Sequence, residues 1–312
     1  YRMESTYETN HMSMICVAKN KEKAIAIFFN KRRESNLSRF LKFDGLDDQA
    51  FYQNSLDGKI YSGKQLRLVG INLIKWLEEF ETIVITFDKV ENCDGEVMIR
   101  KEDLYIRDPF IYFENGVYYL YSAYQKKDEQ FPSFVVYKSK DLEEFTEPIT
   151  IFQGNSHFWG NKDFWAPEMH KYKNKYYLFA SCKADNCCRG TQIFVASKPD
   201  GEFVCLTDHA ITPKNWECLD GTLWVEEGIP YLVFCHEWLQ IGNGTICLMQ
   251  LSDDLTHSVS EPKILFSAKD AKWPIAFQGK NNYVTDGPFI IKQKDGLEMI
   301  WSSYSKTGYA IG

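Results

Sequence analysis

The sequence predicts an all-β fold, a β-rich N-terminal region followed by a β-propeller, and three observations predict it. Aromatic residues make up 15% of the 312 residues, which favours pleated, half-buried strands. Short apolar runs bounded by Asn, Asp and Gly turns recur along almost the whole chain. From about residue 95 onward, one pattern of strand, turn and strand returns four times, the mark of a repeat architecture.

The N-terminal region comes first. Ile15-Cys16-Val17-Ala18 and Ala24-Ile25-Ala26-Ile27-Phe28-Phe29 flank the polar turn Lys19 to Lys23, so they predict a hairpin. Further strand-like runs are Phe40 to Phe43 and Thr82 to Phe87. One helix is expected between them, over Leu66 to Phe80. Asn92-Cys93-Asp94-Gly95 has turn chemistry and is the expected boundary. The expected domains are therefore 1–94, which the family resemblance given below makes a β-sandwich, and 95–312, the propeller.

In the second region four segments share one grammar. They are Asp108-Pro109-Phe110-Ile111 to Ser122, Ala166-Pro167-Glu168-Met169 to Ser181, Asp220-Gly221-Thr222-Leu223 to Cys235, and Asp286-Gly287-Pro288-Phe289 to Ser303. Their inner turns are expected at Asn115-Gly116, Asn174-Lys175, Glu227-Gly228 and Asp295-Gly296. A third strand follows in three of them: Phe134 to Tyr137, Gln192 to Ala196 and Ile246 to Gln250. A single irregular sandwich is the alternative, and it gives no reason for the turn chemistry to repeat.

Composition excludes several function classes. A net charge of -7 argues against nucleic acid, whose phosphates need clustered Lys and Arg. The one dense basic run, Lys31-Arg32-Arg33, reads as a solvated turn. No apolar stretch has the length of a membrane span. Among nine cysteines, Cys182, Cys187 and Cys188 lie close together. No paired C-x-x-C or nearby His completes a zinc set, so reduced thiols in a cytoplasmic protein are expected, with no metal and no cofactor. The chain lacks an initiator Met and stops at Gly312 inside a strand-like pattern, so it reads as a fragment.

Asp108, Asp220 and Asp286 hold the same place in their repeats. In a propeller the innermost strand of each blade starts at one face of the channel, so all three point into one funnel. Converging acids raise one another's pKa values, an arrangement that suits cation binding or acid–base work. Asp before Pro or Gly is also a common turn cap. Glu237 ends the second strand of the third repeat and returns to the same face beside Asp220, either to reach the funnel or to form a salt bridge at the rim. Trp165 and Trp238 either stack on a sugar ring or belong to the core. Glu168 is placed to accept a hydroxyl hydrogen bond. His236 either orients Glu237, binds sugar, or points away from the funnel.

Taken in order, Arg107-Asp108-Pro109-Phe110, Trp165-Ala166-Pro167-Glu168, Leu219-Asp220-Gly221-Thr222-Leu223 and Thr285-Asp286-Gly287-Pro288-Phe289 resemble glycoside hydrolase family 43. The resemblance implies a five-bladed propeller, of which about four blades are present. It implies that Asp108 is the general base and that Asp220 tunes and orients the acid. At the acid position the family usually carries Glu, and this chain has the shorter Asp286. Glu237 has the longer reach and is the favoured acid, with Asp286 the other candidate. Residues 1–90 resemble the C-terminal β-sandwich of family 36 α-galactosidases, through Tyr1 to Ser5, Leu41 to Asp47, Tyr61-Ser62-Gly63 and Phe80 to Phe87. That likeness implies a preceding α-galactosidase barrel, absent from this chain.

The expected function is an inverting exo-glycosidase acting on terminal α-L-arabinofuranosyl or β-D-xylosyl groups of plant polysaccharides, a substrate class that the family resemblance supplies. Inversion calls for two carboxyls roughly 6.5–9.5 Å apart with water between one of them and the sugar. The alternatives are a non-catalytic sugar-binding propeller, for which the altered acid position speaks, an inactive fragment of a larger fusion, and a protein-interaction propeller, which gives the converging acids no role.

Overall fold

A computed structural model gives the fold and describes residues 2–4, 11–30, 40–73, 81–90, 98–104, 106–124 and 130–312. Strands dominate, and the chain is all-β. It divides into two compact units, residues 1–105 with 137–148, and residues 106–136 with 149–312.

The first unit holds a six-stranded antiparallel sheet, in the order Arg2–Glu4, His11–Val17, Lys23–Asn30, Thr82–Val90, Phe51–Asn54 and Ile60–Ser62. The expected hairpin is present, with Val17 opposite Ala24. Along Lys23–Asn30, Ala24, Ala26, Phe28 and Asn30 are buried. That is the period of two expected when one face of a strand meets a core. The sheet shares one buried cluster with Leu41, Phe43, Leu66 and Ile71.

The helix is shorter than the expected span of Leu66 to Phe80. It covers Gly63–Leu68, and Ser62 caps it, its Oγ accepting from the Gln65 amide at 3.0 Å. Gly70 ends it with φ of 87°. A Cβ at residue 70 would lie 2.3 Å from the Leu41 carbonyl oxygen, so only glycine permits this exit. Ile71–Asn72 then pairs with Phe40–Leu41. Residues 74–80 lie outside the described residues, as do the basic run 31–33 and the turn 92–95.

In the second unit four antiparallel sheets follow one another. The first strands are Phe110–Glu114, Lys162–Tyr172, Cys218–Glu226 and Asp286–Gln293, and each pairs with the strand that follows it. Each first strand also packs against the first strand of the next sheet. The inner loops of the first and third sheets are Asn115-Gly116 and Glu227-Gly228, with φ positive at both positions, as a tight two-residue hairpin turn requires. In the second sheet Tyr172 pairs with Lys175, so the loop is Lys173-Asn174, one residue earlier than expected, with both residues left-handed. In the fourth, Gln293 pairs with Gly296 and the loop is Lys294-Asp295, again one residue early.

A backbone device marks the entry to every first strand. Asp108, Ala166, Asp220 and Gly287 all have φ between 43° and 55°. Pairing slips in the second, third and fourth sheets, between Trp165 and Glu168, Leu219 and Thr222, and Asp286 and Phe289. These are bulges that re-aim the flanking side chains. They also correct the repeat register. Gly287, not Asp286, is the counterpart of Asp108 and Asp220. Asp286 matches Arg107, Trp165 and Leu219, one residue earlier.

Candidate active site

The strand entries of all four sheets and the end of one second strand surround a single cavity of about 580 Å³. Asp108, Asp220, Asp286 and Glu237 line it, as do Trp165, Glu168 and Trp238. The bulge explains how Asp286 reaches the cavity despite its one-residue offset. At a bulge, two successive residues oppose one partner residue, so neighbours in sequence turn toward the same side.

The three aspartates differ in setting. Asp108 is exposed. Asp220 lies deeper, its Oδ2 accepting from the Gly287 amide at 2.8 Å. Burial, and then the charge of Asp286, push its carboxyl well above the usual range. Asp286 accepts a 2.6 Å hydrogen bond from the Tyr309 hydroxyl. Burial and the nearby Asp108 push its pKa up to about 6, against the opposing pull of Tyr309 and of Arg189.

Glu237 is buried and ion-paired with Nη1 of Arg189. Burial pushes its carboxyl up, and Arg189 opposes that. Arg189 also donates from Nη2 to Asp163 Oδ2 at 3.0 Å and stacks its guanidinium over the Trp165 ring at 3.9 Å. Glu168 is engaged at one oxygen, Oε1, by the Thr222 hydroxyl and by His170 Nε2, the latter at 2.7 Å.

His236 stands apart from the other candidates. Its ring stacks on Trp216 with centroids 4.2 Å apart, and its Nε2 meets Gln240 Oε1 at 2.7 Å. It does not line the cavity. It directly precedes Glu237, and the two side chains leave the backbone toward different neighbours. Trp238 does face the cavity and meets Phe277 edge-on at 5.5 Å. Phe277, Tyr304 and Tyr309 continue that aromatic wall, with centroid spacings of 4.5 Å and 5.2 Å.

Sequence reasoning did not find Arg189, Phe277, Tyr304 or Tyr309. None occupies a repeated position, and each reaches the site through tertiary packing. Tyr309 carried one signal: it lies on a strand paired with the one after Asp286, a hairpin partner visible from spacing alone.

Aromatic side chains and clustered carboxyls, three of them with raised pKa values, suit sugar-bond hydrolysis. Comparison with known proteins agrees. Residues 103–312 match glycosyl hydrolases family 43, and residues 11–87 match the glycosyl hydrolase family 36 C-terminal domain. The chain belongs to family 43 and is a glycoside hydrolase. An endo-arabinase from Bacteroides thetaiotaomicron VPI-5482 is 42% identical, over 69% of this chain and 76% of its own, with a TM-score of 0.62. An endo-1,4-beta-xylanase from the same organism is 26% identical over 66% and 67%, with a TM-score of 0.53. An alpha-L-arabinofuranosidase from Lactobacillus brevis shares the fold at 20% identity, over 69% and 70%, with a TM-score of 0.52. No curated protein matches the chain.

Proposed function

We propose that the cavity hydrolyses terminal α-L-arabinofuranosyl or β-D-xylosyl groups with inversion, arabinofuranosyl groups foremost, and that the four sheets are blades of a five-bladed propeller. The observation that carries the catalytic reading is an open carboxylate, Asp108, sharing one cavity with Asp286, whose pKa is lifted to about 6. Asp108 takes a proton from water as the water attacks the sugar. Asp286 gives its proton to the leaving oxygen. Asp220, which accepts from the Gly287 amide, orients the strand entry that carries Asp286.

This assignment reverses the preference for Glu237, which rested on its place beside Asp220 in one sheet and on its reach. Burial raises the Glu237 carboxyl overall, but its Oε2 is held by the Arg189 guanidinium, a partner that favours the ionised form, whereas Asp286 is held by the neutral Tyr309 hydroxyl. Glu237 is instead a hydroxyl-binding group on the wall. The 42%-identical structure, described as an endo-arabinase, supports arabinose over xylose. It also favours a second reading, cleavage within an arabinan chain.

The test is turnover of nitrophenyl α-L-arabinofuranoside, β-D-xyloside and α-galactoside, together with the products formed from arabinan. The first reading expects arabinofuranoside hydrolysis and free arabinose. Oligosaccharides from arabinan without aryl turnover would support the second. Asp108→Asn should lower turnover by about 10²–10⁴-fold with little change in binding. A near-normal Asp108→Asn enzyme would overturn the base assignment.

A further inference from the structure

We infer that Arg189 is a positioning residue that fixes Glu237 and Trp165 as one sugar-binding wall of the cavity. The inference rests on the sugar-cleaving reading above and adds a residue to it. Arg189 stands at the start of the third strand of the second sheet, Cys187–Ala196, and is almost completely buried. It reaches three neighbours on two other segments. Nη1 pairs with Glu237, just past the second strand of the third sheet. Nη2 bonds Asp163, in the first strand of the second sheet. The guanidinium face covers the Trp165 ring. Two of these neighbours, Glu237 and Trp165, line the cavity, while Arg189 itself does not.

A role confined to stability fits this geometry poorly. A buried ion pair adds little net stability, because desolvation offsets most of the attraction. Arg189 Nε also finds no hydrogen-bond acceptor, so the group is not placed to satisfy itself. Its plane is placed to stack on an indole while its fork holds a carboxylate. Only a guanidinium does both at once; an ammonium is a point charge without a plane. The Trp165 ring and the Glu237 carboxylate supply the two things a furanose or pyranose ring needs from a wall, an apolar surface for its C–H face and an acceptor for its hydroxyls.

The experiment compares Arg189→Lys, Arg189→Met, Glu237→Gln and Arg189→Met/Glu237→Gln with the wild type. Steady-state kinetics use the nitrophenyl glycoside that the wild type cleaves, and a crystal structure is solved for Arg189→Met. The double variant removes the buried charge that Arg189→Met alone would strand, so it folds if the single variant does not. Arg189→Met should raise KM by tenfold or more, with kcat changed by less than threefold; the double variant in its place should raise KM severalfold beyond Glu237→Gln alone, because Trp165 is released as well. Arg189→Lys should recover part of that loss. In the crystal, Trp165 or Glu237 should leave its wild-type position. An unchanged KM overturns the inference, and so does a crystal in which both side chains stay in place. A fall in kcat at constant KM also overturns it, because that would put the pair in the chemical step. Absence of turnover by the wild type on every glycoside would sink the proposed substrate class, and the crystal structure would still decide the role of Arg189.

Discussion

At the scale of the residue, the Asp286–Tyr309 hydrogen bond sets the pH behaviour of the site. Burial and Asp108 raise the Asp286 carboxyl from an ordinary 3.8 to about 6, and the Tyr309 hydroxyl restrains that rise. In the proposed role of general acid, Asp286 works in its protonated form. The rate therefore falls as pH rises through about 6, and this limb belongs to the free enzyme in a plot of kcat/KM. Removing the hydroxyl in Tyr309→Phe removes a donor that favours the ionised form. The alkaline limb should then move to higher pH while the low-pH plateau keeps its height to within a few fold. A limb that moves down, or stays where it was, contradicts the acid assignment. Stability carries the same sign. A carboxyl whose pKa rises on folding contributes most stability below its unfolded value near 3.8 and loses it as pH climbs through about 6.

At the scale of the element, the left-handed entry to each first strand is what points side chains into the cavity. In three sheets the next residue is proline: Pro109, Pro167 and Pro288. In the third it is Gly221, and packing gives the reason. A Cβ at residue 221 would lie 2.5 Å from Thr191 Oγ1 on the neighbouring sheet. Gly221→Ala should therefore displace the strand entry and with it Asp220. We expect a stability loss of about 1–3 kcal/mol from overpacking and a fall in activity of tenfold or more, both largely restored in Gly221→Ala/Thr191→Ala. Denaturant melts and kinetics of the two variants check this, and a wild-type single variant contradicts it. The same entries explain what was legible beforehand. Alternating apolar runs and turn residues revealed four repeats, because those signals are local. Register was harder, since left-handed backbone rather than residue type marks it. Asp286-Gly287 reads like Asp220-Gly221 on paper, yet in the structure Gly287 takes the left-handed place. The helix was overextended because Gly70 stops it through a close approach to Leu41, a contact between segments far apart in sequence. Arg189 escaped notice for the same reason: its partners at 163, 165 and 237 come together only in the folded sheets.

At the scale of the whole molecule, every residue lining the cavity lies between Arg107 and Tyr309, within the second unit. The first unit, which carries the family 36 C-terminal match, contributes none of them. The chemistry therefore belongs to the family 43 portion. The proposed mechanism turns on Asp286 supplying the proton to the leaving group there. An aryl glycoside with a good leaving group scarcely needs an acid, whereas an unactivated arabino-oligosaccharide depends on one fully. The most direct measurement is the ratio of kcat/KM on these two substrates for Asp286→Asn and for Glu237→Gln, each against the wild type. Asp286→Asn should lose about 10²–10⁴-fold on the oligosaccharide while keeping most of its aryl activity, and Glu237→Gln should weaken both substrates alike. Selective loss in Glu237→Gln, with Asp286→Asn affecting both substrates equally, would contradict that mechanism.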